Sequence, residues 1–378
     1  MIQFVSTENY QFPYKNVLDE YPNLNIVVCL LRHESNDDFR KGLYESVVKR
    51  LQGIESIDRL IIDDITEAVD LSKVDEVFDH VVDRLGIPRQ NIIFINGGEE
   101  HRNYVIPYPT FYHVDSFRLE GYSKETVVPW HVRTNLLISL CRRPNWFRVA
   151  LTEELIKRNL LEHSIISCGS DKAAVDDGWV ELFATPDLQH YFPITVDGFI
   201  SREDEYTSNG REFSNAYVNI VSETSHDVRP NGPGLLHEWL MKTKHHLAVN
   251  RPEPDGLHHW ERLFVTEKTI KPFAMRQIPI FNTVKHHVKF LRTLGLDLFD
   301  DVIDQSYDNI DDPAQRVQAV AVQAEIAYKR GFEYFRNIPN IETRLEHNVE
   351  CIRRQRKIKM HNAEQQLREF LNHGNGTI

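Results

Sequence analysis

Apolar runs of strand length alternate with amphipathic helical segments through the first third of the chain. Asn25 to Leu31 (NIVVCLL) is apolar from its second position on, and Asp37 to Leu51 follows with Phe39, Leu43, Val47 and Leu51 on one helical face. Leu60 to Ile62 is again apolar, Leu71 to Leu85 carries Val74, Phe78, Val81 and Leu85 as a stripe, and Gly86-Ile-Pro88 closes that helix. Asn91 to Ile95 (NIIFI) then reads as a third strand. Unbroken apolar strands separated by amphipathic helices predict a parallel sheet covered on both faces. Right-handed crossovers between such strands give a Rossmann-like half.

Residues 96–130 are rich in Gly, Pro, Tyr and His and have no sustained period, which puts a domain boundary near residue 130. A second series begins at Asn135 to Cys141 (NLLISLC). It continues with a helix from about Asn145 to Asn159, a strand at Ser164 to Cys168 and another at Ala216 to Ser222. Thr266-Glu267-Lys268 heads a short helix, Ile278 to Phe281 is apolar and strand-like, and Lys285 to Leu294 is helical. After Asp311-Asp-Pro313 the pattern stays helical, with Leu345, Val349 and Ile352 as a stripe. The expected organisation is α/β: one domain over 1–130, a second over 131–312 and C-terminal helices over 313–378.

Composition narrows the partners. A chain of 378 residues can bury two ordinary cores. A formal net charge of -12 and a pI near 5.8 argue against attachment to nucleic acid or anionic lipid by bulk electrostatics. Cys29, Cys141, Cys168 and Cys351 are scattered with no CxxC pair, so buried thiols in a reducing compartment are expected. The start of the chain has no basic-then-apolar leader and no stretch approaches 18 apolar residues, giving the expectation of a cytoplasmic protein without membrane insertion.

The common cofactor signatures are missing: no GxGxxG after a strand, no Walker loop and no G-x-S-x-G elbow. Charged groups do stand at the ends of predicted strands, where open parallel sheets bind ligands. Arg142-Arg-Pro-Asn-Trp-Phe-Arg148 follows the strand ending at Cys141, Glu223-Thr-Ser225 follows Ser222, and Glu267-Lys268 follows Phe264-Val265. The planar fork of an arginine suits a diphosphate, and a carboxylate beside a lysine at a helix N-terminus can hold hydroxyls and phosphate together. A simple capped helix and arginines paired with nearby carboxylates explain the same residues without a ligand.

Val221-Ser-Glu-Thr-Ser225 and Phe264-Val-Thr-Glu-Lys268 together resemble the donor-site signature of the α1,3-fucosyltransferases and related GT-B glycosyltransferases. Leu140-Cys-Arg-Arg-Pro-Asn-Trp-Phe-Arg148 is similar to the strand-end arginine segment of their phage and bacterial relatives. The resemblance covers roughly residues 135–308. It implies a GT-B-like fold of two Rossmann-like domains facing a cleft, with a helical tail. It also implies a nucleotide-sugar donor (GDP- or UDP-linked) on the C-terminal half, an acceptor on the N-terminal half and no catalytic metal. On the matching positions, Glu223 and Glu267 would bind sugar or ribose hydroxyls, with Thr224, Ser225 and Thr266 beside them. Lys268 and an arginine among Arg142, Arg143 and Arg148 would neutralise the diphosphate. Thr224 stands where the family has Asn, and residues 226–262 form a long insertion.

Inverting transfer needs a base on the acceptor side, and Glu99 or Glu100, in Asn96-Gly-Gly-Glu-Glu-His101, stands where that base is expected; His101 and His33 are weaker candidates. A solvated turn explains the same Gly-Gly-Glu-Glu sequence. The acceptor is a glycan, a small molecule or, in an alternative reading, a hydroxymethylated base in DNA. That alternative draws on the aromatic-rich stretch Tyr104 to Tyr122 and the basic run Arg353-Arg-Gln-Arg-Lys-Ile-Lys359. A non-catalytic interaction protein retaining the fold is the third reading. The histidine pairs at 245–246, 258–259 and 286–287 lack metal-ligand spacing, and Asp63-Asp64 is either a helix cap or a metal-binding acidic pair.

Overall fold

The computed structural model describes residues 2–5, 14–30, 43–54, 56–64, 71–97, 104–108, 127–141, 146–169, 180, 184–194, 213–223 and 265–373. The fold is α/β, with two separate parallel sheets. The described parts of 2–108 and 356–373 form one compact unit, and those of 127–223 and 265–355 form a second.

In the first unit, β1 (Ile2–Val5), β2 (Ile26–Leu30), β3 (Arg59–Asp64), β4 (Ile92–Asn96) and β5 (Val105–Pro107) lie side by side in chain order, every pair parallel. Among the described residues three helices belong to this series: α1 (Lys15–Asp19), α2 (Leu43–Leu51) and α3 (Leu71–Leu85). Strand side chains alternate between faces. Val27, Cys29, Leu60, Ile62, Ile92 and Phe94 meet Val47, Leu51, Phe78 and Val81 of α2 and α3. Ile26, Val28, Ile61, Ile93 and Ile95 meet Tyr14, Val17 and Leu18 at α1, together with Ala363, Leu367 and Leu371. Coverage on both faces is why β2 and β4 read as unbroken apolar runs rather than alternating ones. Each linked pair steps across the sheet in the same direction, yet α1 packs on the face opposite α2 and α3.

The second unit is built on β6 (Asn135–Cys141), β7 (Ser164–Cys168), β8 (Ala216–Ser222) and β9 (Ile278–Asn282), in the order β7-β6-β8-β9 and all parallel. Its helices are α4 (Trp146–Lys157), α5 (Glu267–Ala274), α6 (His287–Thr293) and α7 (Pro313–Arg336), with α8 (Ile341–His373) beginning here. Asp312 caps α7 by accepting from Ala314 and Gln315 N–H, with Pro313 in the first turn. The helix is broken at Gly331, whose φ of 71° is a conformation that favours glycine. Buried Arg133 fastens the start of this sheet, donating to Ala216 O at 2.8 Å and Met275 O at 3.1 Å beneath the Trp130 ring.

Two boundaries differ from those expected. Residues 127–130 belong to the second unit, because Trp130 packs edge-on against Tyr217 at 4.8 Å and Val128 N–H donates to Ser214 Oγ. The helices of 313–378 do not stand apart. α7 packs in the second unit, and α8 is divided: residues up to 355 belong to the second unit and residues from 356 to the first. All four cysteines are buried and free, and burial pushes the Cys29 thiol up to about 12. Among the described residues no helix is long and apolar enough to cross a membrane.

Leu367 is 1 % exposed in the first unit's core. Leu367→Ala is expected to lower stability by about 2–5 kcal/mol in denaturant titration. A loss near zero would mean that α8 does not complete that core.

Candidate functional site

The second sheet reverses its strand order. From β6 the chain goes to β7 on one side and then returns to place β8 on the other. Ligands of open α/β sheets bind beyond the carboxyl ends of the strands at such a reversal. The β6–β8 ladder ends at Ile138–Asn219, before either strand does, whereas β8 and β9 stay paired to Ser222–Asn282.

The strand ends are cross-tied by polar side chains. Asn282 Nδ2 donates to Phe147 O and Ser222 Oγ, both at 3.2 Å, and Glu223 N–H donates to Asn282 O. Arg148, in the first turn of α4, donates through Nη2 to Ser222 O at 3.3 Å and Glu223 O at 3.0 Å. The cation is 7 % exposed and lies against the Phe147 ring. It thus binds the end of β8.

Glu223 is fully buried, and its carboxylate is an acceptor for the start of α5. Oε1 accepts from Thr266 N–H at 2.9 Å, Thr269 N–H at 3.2 Å and Thr269 Oγ1 at 2.5 Å, and Oε2 accepts from Thr266 Oγ1 at 2.6 Å. The carboxylate faces inward onto two threonines. A negative charge here also complements the helix dipole, so the protein supplies its own anion to the α5 N-terminus. Thr266 completes the cap: it is extended at φ -105° and ψ -179° and accepts from Lys268 N–H at 3.2 Å.

What remains for a ligand is the outer side of this helix start. Lys268 is half-buried, with Nζ 3.5 Å from Thr266 Oγ1, so an ammonium is held beside the cap. Glu267 is the first residue of α5. Its side chain, together with Arg142, Arg143, Thr224, Ser225, Glu99 and Glu100, lies outside the described residues, as do His33 and His101. The site thus joins Glu223, Thr266, Lys268 and Arg148 of the expected set.

Sequence reasoning missed Thr269 and Asn282, and it favoured a surface or loop position for the pair His286-His287, whereas His287 is buried. His287 opens α6, is fully buried, and its Nε2 lies 3.1 Å from Thr269 Oγ1. Burial holds its pKa below the ordinary value, against the raising effect of Glu223 and Asp308. The available signal was the i, i+3 spacing of Thr266 and Thr269, which puts two hydroxyls on one side of a helix start. In the first unit Asp63 is buried and accepts from Tyr14 Oη, so it is engaged internally rather than presented as half of an open acidic pair. Among the described residues no three ligating side chains gather to hold a metal ion.

Glu223→Gln replaces one carboxylate oxygen by an NH2 that faces the same donors. It is expected to cost about 3 kcal/mol in denaturant unfolding, the range for buried hydrogen bonds to a charged group. A loss below about 1 kcal/mol would contradict the four-donor arrangement.

No protein-family model, curated protein or solved structure matches the chain.

Proposed function

We propose that the chain is a glycosyltransferase of GT-B-like organisation that moves a sugar from a nucleotide-activated donor to a hydroxyl acceptor with inversion. The observation that carries this reading is the helix start at the strand-order reversal of the second sheet, where Lys268 stands beside the cap that Glu223 holds. A diphosphate leaving group needs cations at its oxygens as the glycosidic bond breaks. Lys268 serves that role, with Arg142 or Arg143 as partner, and no metal is required. Glu223 acts from beneath, fixing Thr266 and the first turn of α5, and Glu267 takes sugar or ribose hydroxyls. On the acceptor side Glu99 or Glu100, beyond the end of β4, removes the proton from the attacking hydroxyl. That oxygen then bonds the anomeric carbon as the nucleoside diphosphate departs.

A DNA acceptor is the second reading. It is favoured by the exposure of Arg353, Arg354 and Lys357 on one stretch of α8, although Arg353 also pairs with Glu350. It requires an affinity for DNA that falls linearly on a log–log plot against salt. An affinity indifferent to salt removes it.

GDP or UDP at about 100 times Kd is expected to stabilise the native state by about 2.7 kcal/mol, read as a rise in melting temperature of a few degrees. Lys268→Glu should abolish the rise. A panel of nucleoside diphosphates that leaves melting unchanged sinks the donor site. Binding without turnover of a labelled nucleotide-sugar favours a non-catalytic protein.

A further inference from the structure

The hydroxyl of Thr269 has a single proton. At 2.5 Å from Glu223 Oε1 that proton is committed to the carboxylate, which also accepts from Thr266 N–H, Thr269 N–H and Thr266 Oγ1. The remaining neighbour of Thr269 Oγ1 is His287 Nε2 at 3.1 Å, and an oxygen that has given its proton can only accept there. His287 must therefore carry its proton on Nε2. A second argument agrees. Among the described residues His287 Nδ1 is buried without a hydrogen-bond partner. A buried acceptor left unmatched is tolerated better than an orphaned N–H, so the proton belongs on the other nitrogen.

We propose that His287 is a positioning residue for the start of α5, acting through Thr269 and Glu223. Its Nε2–H saturates the Thr269 oxygen, orients the Thr269 hydroxyl onto Glu223, and through Glu223 fixes Thr266 and the backbone of Lys268. Donation runs from imidazole to hydroxyl to carboxylate on one side, and from Thr266 N–H and Oγ1 of the helix cap to the same carboxylate on the other. The charged groups facing His287 are Glu223 from the end of β8 and Asp308, which accepts from Val288 and Lys289 N–H at the start of α6. The Phe281 ring covers the imidazole with centroids 5.2 Å apart. Burial keeps the ring neutral, the state in which one nitrogen donates and the other is bare. The relevance of this order to diphosphate binding rests on the donor-site reading above. The order itself does not.

Three measurements on the full chain test it. Nitrogen-15 NMR of labelled histidine should find His287 as the Nε2–H tautomer at neutral pH. An Nδ1–H tautomer overturns the proposal. Amide hydrogen exchange at Thr266 and Thr269 should quicken roughly tenfold in His287→Phe and in Thr269→Val, and return close to wild type in His287→Gln, whose side-chain NH2 can donate where Nε2–H did. Equal loss in His287→Gln and His287→Phe would mean that His287 only fills space, and unchanged exchange in all three would likewise overturn the proposal. Stability should fall as pH drops below about 6.5, where the unfolded histidine takes a proton that the folded one refuses. His287→Phe should lose that part of the slope. GDP and UDP titrations separate the two readings. If neither binds the wild type, the donor site fails while the tautomer and exchange results still decide the role of His287. If they bind, affinity should weaken severalfold in His287→Phe and recover in His287→Gln.

Discussion

A buried carboxylate needs compensation, and the compensation available to Glu223 determines how the end of the second sheet is assembled. Its charge is removed from water, so each oxygen must be met by donors. The donors come from a helix 43 and 46 residues further along the chain, at Thr266 and Thr269. Satisfying the carboxylate therefore brings the end of β8 and the start of α5 together and points the helix dipole at a fixed charge. Asn282 and Arg148 then bind the carbonyls and hydroxyl that this junction leaves at the strand ends. The candidate site is the outer surface of this junction.

The two sheets differ in a way that bears on where a ligand could sit. The first runs in chain order without reversal, and the second reverses beside β6. Where the order reverses, consecutive connections leave a gap above the strand ends instead of filling it. Of the residues that drew notice in the sequence, Arg148, Glu223, Thr266 and Lys268 gather at the sheet with the reversal. Fold topology and local chemistry thus converge on one edge, without either one establishing an activity.

The sequence was most legible where burial is two-sided. β2, β4, β6 and β8 are nearly continuous apolar segments because neighbouring residues along each strand are buried alike, and their limits were readable within a residue or two. β1 and β5, of four and three residues, carry too little pattern to stand out. The helix headed by Thr266 was legible from its cap. The inward turn of Glu223 was not, because that depends on Thr266 and Thr269 arriving from a distant part of the chain. The bonds of Arg148 were hidden for a related reason. An arginine at a strand end looks the same in sequence whether it awaits a phosphate or holds two carbonyls. His287 drew notice only as half of a histidine pair, since its bond to Thr269 cannot be read from spacing.

α8 has a consequence for how the protein is made. One face of the first sheet, including Val28, Ile61 and Ile93, is covered in part by Ala363, Leu367 and Leu371. During synthesis at about 5–20 residues per second, those strands leave the ribosome on the order of tens of seconds before the residues that shield them. The first unit cannot finish its core in the order in which it is translated. Until then its apolar sheet face is a candidate substrate for chaperones, and a ribosome stalled before residue 363 would release a chain with that face still bare.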